Sequence, residues 1–365
     1  MMGLTTLKRR GRRFVRGVLY TMTALLRAAD DALSQNAGEE KREFFYGGQA
    51  VMEGVMMRGQ YNAAISVRHP SGSIVAKEVP LNAALYRGRI AKMPFVRGLI
   101  LLWDALGLGT SALMWSADVA LEEEEDIDFS LEGAAGVGLV LVSLTFGIGL
   151  FFVLPAAISE AALRLTGLDS KLLADILEGV VKLGLLIGYI WAIAFMDDVK
   201  RLYGYHGAEH KTINAYEDGA ELVPDVVKTY PIEHPRCGTA FLLTLVVLTV
   251  VIHMFTPRPD SILFLFLIRI GLIFPIAGIA YEVIRFTAQN LDKKWVQLMI
   301  KPNLALQHLT TREPDKSMVE VGIWSLKRVL AAEKSGVAIT ESTVTEVVPA
   351  PETGVADPVP EPSGD

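Results

Sequence analysis

The sequence predicts a mainly α-helical, polytopic membrane protein, with about four transmembrane helices and a small cytoplasmic β-containing unit. Three observations lead there. Of 365 residues, 51% are hydrophobic and only 21% charged, and the mean hydropathy of +0.35 is high for a water-soluble chain. The apolar residues gather into stretches of about 20, the length that crosses a hydrocarbon core. Lys and Arg are spread unevenly over the segments between those stretches, which orients them.

The same composition excludes a disordered, collagen-like or disulfide-stapled chain. The one cysteine, Cys237, cannot form an internal disulfide. The formal charge of -6 belongs to the tail: after Lys334 there are six acids and no base. The acidic balance therefore says nothing of a basic partner, and no nucleic-acid partner is expected; membrane lipids are, together with a membrane-protein partner.

Residues 1–40 begin with Lys8, Arg9, Arg10, Arg12, Arg13 and Arg16, and Phe14, Val18, Met22 and Leu25 follow at helical spacing. A signal peptide has a similar outline. Arg16 interrupts the apolar run, so the segment reads as a basic amphipathic helix on an anionic membrane surface. Residues 44–132 read as a cytoplasmic β-containing unit, an interfacial helix and an acidic linker. Within it, Ala64–Arg68 and Ile74–Glu78 alternate apolar with polar around Pro70-Ser71-Gly72-Ser73, which predicts a hairpin. Gly98–Ala117 is apolar apart from Asp104 and reads as an amphipathic or re-entrant surface helix. Glu122–Asp128 reads as a solvated acidic linker.

The membrane domain is expected over 133–285, with spans at Gly133–Ile158, Ile176–Met196, Gly238–Phe255 and Ser261–Ile284. With four spans, 30 of the 35 Lys and Arg fall on one side. That predicts a bacterial inner-membrane protein with both termini and the 197–237 loop cytoplasmic. Residues 286–334 are expected to be a cytoplasmic helical segment, ending in a helix over about Asp315–Ala332. Residues 335–365 are expected to be a disordered acidic tail.

The strongest chemical signal is Tyr205-His206-Gly207-Ala208-Glu209-His210-Lys211. Residues four apart share a helix face, so His206 and His210 suit a shared metal ion. His-x-x-Glu-His is also the inverted zinc-peptidase signature, in which the Glu is the general base; here that is Glu209. A zinc site needs a third donor. Glu217 lies two turns further along the same face, and His234 and Cys237 have chelate spacing in Glu233-His234-Pro235-Arg236-Cys237-Gly238. A His206, His210, His234, Cys237 set would be closed and structural. Two histidines with one carboxylate would leave an open, catalytic position. Asp197 and Asp198 are further oxygen candidates.

A second signal is Gly47-Gly48-Gln49-Ala50-Val51-Met52-Glu53-Gly54-Val55-Met56-Met57-Arg58-Gly59. It fits neither a dinucleotide fingerprint nor a P-loop. Its glycines predict tight turns or close backbone approach, and Glu53 pairs with Arg58 or faces the histidine segment. Glu282 and Arg269 are charges within the fourth span. Glu282 either reaches the histidine segment or pairs with Arg285, and His253 is structural.

These two motifs, with His234–Thr239 and Leu306-Gln307-His308-Leu309-Thr310-Thr311-Arg312-Glu313-Pro314-Asp315, resemble the YqhQ-like family. That is a bacterial membrane protein family built around a domain of unknown function. The resemblance covers about residues 44–333. One departure is Lys301-Pro302-Asn303, where a Pro-Gly turn is expected. The family has been labelled a predicted metal-dependent enzyme, so the resemblance implies a metal-dependent activity with an unknown substrate. The reading is thus an integral membrane protein with a divalent-metal site, zinc by donor type, at the cytoplasmic face. It would act as a hydrolase or, alternatively, as a non-enzymatic scaffold or assembly factor with a structural metal.

Overall fold

The computed structural model describes residues 46–86, 88, 93–121, 134–167, 170–256, 259, 261–335 and 343–348. The expected basic helix over 1–40, the acidic linker from 122 onward and the tail from 349 lie outside these residues.

Five antiparallel strands form a meander in chain order: β1 (Gly47–Val51), β2 (Gly54–Arg58), β3 (Asn62–Arg68), β4 (Ile74–Pro80) and β5 (Thr343–Val348). The hairpin read from the sequence is β3–β4, with Ser66 opposite Ala76 and Arg68 opposite Ile74. Strand side chains alternate between faces, and here both faces are covered. Val55, Met57 and Ala64 point toward one helical layer. Met56, Ala63, Ile65 and Val67 point toward another. This double burial is why β2 and β3 read as apolar runs rather than as a clean alternation. The expectation of a disordered tail is corrected at Thr343–Val348. These residues pair with β4, a β-branched segment completing an otherwise bare edge.

The first layer is made of α6 (Asp197–Glu217) and α11 (Lys316–Ser335). Asp315 caps α11 by accepting from the Met318 amide at 2.9 Å. The Ser325 hydroxyl lies 2.9 Å and 2.6 Å from the carbonyl oxygens of Val55 and Ala64, fixing α11 across β2 and β3. The region expected as a loop with some helix is therefore mostly the single helix α6. After the short α1 (Ala83–Tyr86), the second layer is α2 (Val96–Leu121), one continuous helix rather than a re-entrant one. Ala112 and Val119 of its second half pack on the sheet. At its start, Gly98 lies so close to Tyr281 that a Cβ would meet the ring at 2.7 Å.

The remaining helices are α3 (Ala134–Ile148), which runs through a π-helical turn (Gly149–Val153) into α4 (Leu154–Thr166), then α5 (Lys171–Ile193), α7 (Pro224–Val227), α8 (Gly238–Phe255), α9 (Ile262–Gln289) and α10 (Lys294–Thr310). Among the described residues, five stretches are long and apolar enough to cross a membrane: Val96–Ala120, Leu141–Thr166, Lys171–Ile193, Gly238–Phe255 and Leu267–Gln289. Phe146, Trp191, Val247, Leu267 and Phe274 stand exposed along them, as lipid-facing side chains do. The first span expected to end at Ile158 continues to Thr166, where Gly167 adopts φ +67 and stops the helix. Lys301-Pro302-Asn303 lies inside α10 rather than in a turn.

The partly buried charge at Glu282 takes Arg97 as its partner, where Arg285 or the histidine segment was expected. Its carboxylate accepts from Arg97 and, at 3.0 Å, from the Phe95 amide, tying the start of α2 to α9. Arg269 pairs instead with Glu178 on α5.

Candidate metal centre

Three donor atoms converge where α6 meets the start of α8. The ligand atoms of His206, His210 and Cys237 all lie within 4.8 Å of one another. The helical spacing puts the two imidazole centroids 4.4 Å apart. Cys237 is the N-cap of α8, and its Sγ sits 3.2 Å from His206 Nε2.

The far side of each ring is anchored. His206 Nδ1–H donates to the Thr310 carbonyl at 2.8 Å, and His210 Nδ1–H donates to the Ile232 carbonyl at 2.5 Å. A carbonyl accepts only, so both rings carry hydrogen on Nδ1 and turn Nε2 toward Cys237. Metal-bound histidines are held in this way, the outer carbonyl fixing the tautomer and the ring orientation. His210 Nε2 is buried and has no hydrogen-bond partner. An orphaned ring nitrogen beside a thiol and a second imidazole is a donor set of the type zinc takes. The residues fit the ion.

Glu209 lies beside this group, with Oε2 3.5 Å from His210 Nε2, and is almost fully buried. The glycine motif makes its place: a Cβ on Gly48 would stand 2.6 Å from Glu209 Cγ and 2.9 Å from Oε1. Gly207 lets α6 approach the 312 loop, since a Cβ there would meet the Arg312 carbonyl oxygen at 2.1 Å. Glu53 turns away from Arg58 and faces α6, where it pairs with Arg201 and accepts from Tyr205 Oη at 3.3 Å. It does so with φ 50, a left-handed conformation a non-glycine residue adopts at a cost.

The other expected ligands stand apart from the trio. Glu217 is taken by Arg236 and lies 3.7 Å from His234 Nε2. The His234 ring is centred 5.7 Å from that of His210, and its Nε2 is buried without a hydrogen-bond partner. Burial lowers the His234 imidazole below its ordinary range, against the opposing pull of the Glu209 carboxylate. Asp197 pairs with Lys200 at the exposed start of α6, remote from the histidines in sequence and surroundings.

Sequence reading missed Gln307 and Thr310 as parts of the site. Gln307 is fully buried and clamps both backbone groups of His234, accepting from its amide and donating to its carbonyl, each at 2.8 Å. The four motifs that carried the resemblance thus meet: β1 against Glu209, α6 with its histidines, the His234–Cys237 turn, and the end of α10.

Apolar helices of membrane length, with a small antiparallel sheet layered against them, fit a membrane protein. Residues 93–332 match the family model described as Protein of unknown function (DUF1385). The chain is also 32% identical over 298 residues to the uncharacterized protein YqhQ of Bacillus subtilis (strain 168), covering 79% of this chain and 93% of that protein. It belongs to this YqhQ-like, DUF1385 family. No solved structure matches the chain.

Proposed function

We propose that this chain is a polytopic inner-membrane protein that holds a divalent cation, zinc by donor type, on His206, His210 and Cys237 at its cytoplasmic face, and that it acts as a metal-dependent hydrolase. The observation that carries this reading is the pair of carbonyl-anchored imidazoles whose Nε2 atoms turn toward one buried thiol. Zinc on such a set supplies Lewis-acid polarisation to a substrate oxygen. The chain's own residues do the rest. Thr310 and Ile232 hold the imidazoles in their donor tautomer. Glu209, a carboxylate beside the trio but outside it, takes the proton from the attacking group and returns it to the leaving group. Gly48 leaves the room that carboxylate needs.

The four-span topology, with both termini cytoplasmic, remains part of this reading. The second half of α2 is committed to a sheet, and strands with open edges do not sit in hydrocarbon, which favours α2 as a surface helix.

Elemental analysis of the purified chain tests the centre. About one zinc per chain is expected, lost in His206→Ala, His210→Ala and Cys237→Ser. A parent chain without stoichiometric metal sinks the proposal. Glu209→Gln is expected to retain the metal and abolish function in cells.

A second reading has one observation in its favour. The buried His234 Nε2, without a hydrogen-bond partner, lies near His210, so a small shift would complete a closed His206, His210, His234, Cys237 set. The protein would then be a scaffold stapled by metal. Loss of bound zinc in His234→Ala selects this reading; retained zinc selects the open site.

A further inference from the structure

A second polar cluster lies among the apolar helices, far from the histidines. Asp175, Glu178 and Lys182 fall along one face of α5, Arg269 comes from α9, and His253 from the end of α8. All five are more than nine-tenths buried, within helices of membrane length. His253 is roughly sixteen residues along α8 from Cys237, a rise of about 24 Å, so the cluster sits at the opposite end of that helix.

Its charges do not balance. Lys171 Nζ lies 2.7 Å from Asp175 Oδ2 and donates to the carbonyls of His253 and Met254 at 3.0 and 2.9 Å, closing the end of α8. Arg269 donates to Glu178 Oε1 and stands 4.0 Å from Asp175 Oδ1. Lys182 Nζ is 3.6 Å from the same Glu178 Oε1, beyond hydrogen-bond length, and its other neighbour is the Phe152 ring at 5.4 Å. Among the described residues, three cations therefore face two carboxylates, and two of them compete for one oxygen. Meanwhile Glu178 Oε2 and His253 Nε2 are buried with no hydrogen-bond partner.

Lys182 is the weakly held member. Lys171 has three acceptors, and a guanidinium does not give up its proton in a protein. Release of one proton from the Lys182 ammonium leaves two cations against two anions, and the cluster is neutral. We infer that Lys182 is a proton-exchanging group within the helix bundle, passing its proton to the open acceptors His253 Nε2 and Glu178 Oε2 and on to water at that end of α8. The N–H bond of the ammonium breaks, its electron pair stays on the amine, and the reverse transfer restores the cation. Buried ionisable side chains in membrane helices characteristically serve such relays. Among the described residues, the groups acting on Lys182 are Glu178 from α5 and Arg269 from α9, with His253 of α8 beside them; Asp175 and Lys171 lie further along α5.

The test uses the full chain in phosphatidylcholine nanodiscs with isotope-labelled lysine side-chain nitrogen, read by NMR. Surface lysines stay ammonium between about pH 6 and 9. One lysine resonance, missing in Lys182→Met, is expected to cross from ammonium to free amine within that window, and His253→Gln should move its midpoint. If no lysine of the parent chain reaches the amine position by the upper limit, the inference is overturned, whether or not Lys182→Met folds. It is equally overturned if the resonance responds to replacement of chloride by a bulky anion rather than to pH, because the excess charge then binds an anion. An unchanged midpoint in His253→Gln removes His253 from the relay.

Discussion

Replacing Gly207 by alanine should damage the centre although residue 207 offers no ligand. On an open helix the change stabilises by about 1 kcal/mol, because alanine is the better helix former. Here the added Cβ would stand 2.1 Å from the Arg312 carbonyl oxygen and 3.3 Å from Pro314 Cδ. The oxygen is backbone and cannot swing aside, so α6 and the 312 loop must separate by more than about 1 Å; strain of that kind costs about 1–3 kcal/mol. The separation strikes the Arg312 amide bond to the Tyr203 carbonyl, at 2.9 Å, and then the nearby His206–Thr310 anchor. Overpacking therefore outweighs propensity. Thermal melting of the detergent-solubilised chain should show a net loss of stability, and zinc retention under a chelator should weaken. Gly188→Ala on α5, where a Cβ meets nothing within 4 Å, is the control and should match or slightly exceed the parent. A Gly207→Ala chain that melts like the Gly188→Ala chain and keeps its metal equally well would refute the close-approach argument.

Gln307→Leu should cost about 1–3 kcal/mol in a melting experiment, since it strands the buried His234 amide, while the His234 carbonyl keeps the Cys237 amide at 3.2 Å. Gly48→Ala should lower the melting temperature and displace Glu209 while leaving zinc content near the parent's, which separates damage to the carboxylate from damage to the ligands. Asp315→Ala removes the cap of α11 and should cost about 1 kcal/mol at neutral pH. Burial alone would raise the Asp315 carboxyl, but the bonds it accepts from Met318 and Ser317 outweigh burial and lower it. A lowered carboxyl stabilises above its unfolded value and loses that contribution as pH falls through its folded one. The gap between parent and Asp315→Ala should therefore close below about pH 4, as melting over a pH series would show.

Much of this was legible in the chain because the signals were local. Apolar length identified the helices, turn residues identified the β3–β4 hairpin, and the four-residue spacing of His206 and His210 put both rings on one face. What escaped was non-local. Nothing in Thr343–Val348 says that β4 lacks a neighbour, so an acidic, proline-flanked tail read as disordered. Glu217 sits correctly on the helix face for a ligand, yet Arg236 takes it, and that pairing depends on how the 224–237 segment folds back. Gln307 reads as an ordinary polar helix residue until His234 is laid against it. The glycines of the first motif gave a signal without an object: tight approach was evident, but that Gly48 makes room for Glu209 appears only when β1 and α6 are side by side.

The α6–α11 layer also sets a timing problem for biosynthesis. Strands β1–β4 leave the ribosome before the apolar helices, but α11, which carries Val319, Ile323, Leu326 and Val329 onto Val55, Met57 and Ala64, is translated after them. Roughly 250 residues separate β3 from α11, so at about 5–20 residues per second the sheet waits on the order of 10–50 s for α11, with α6 alone available to cover that face. A message truncated before Lys316 would yield a chain that inserts its helices yet leaves the α11 part of its apolar sheet uncovered, a natural target for quality-control proteolysis.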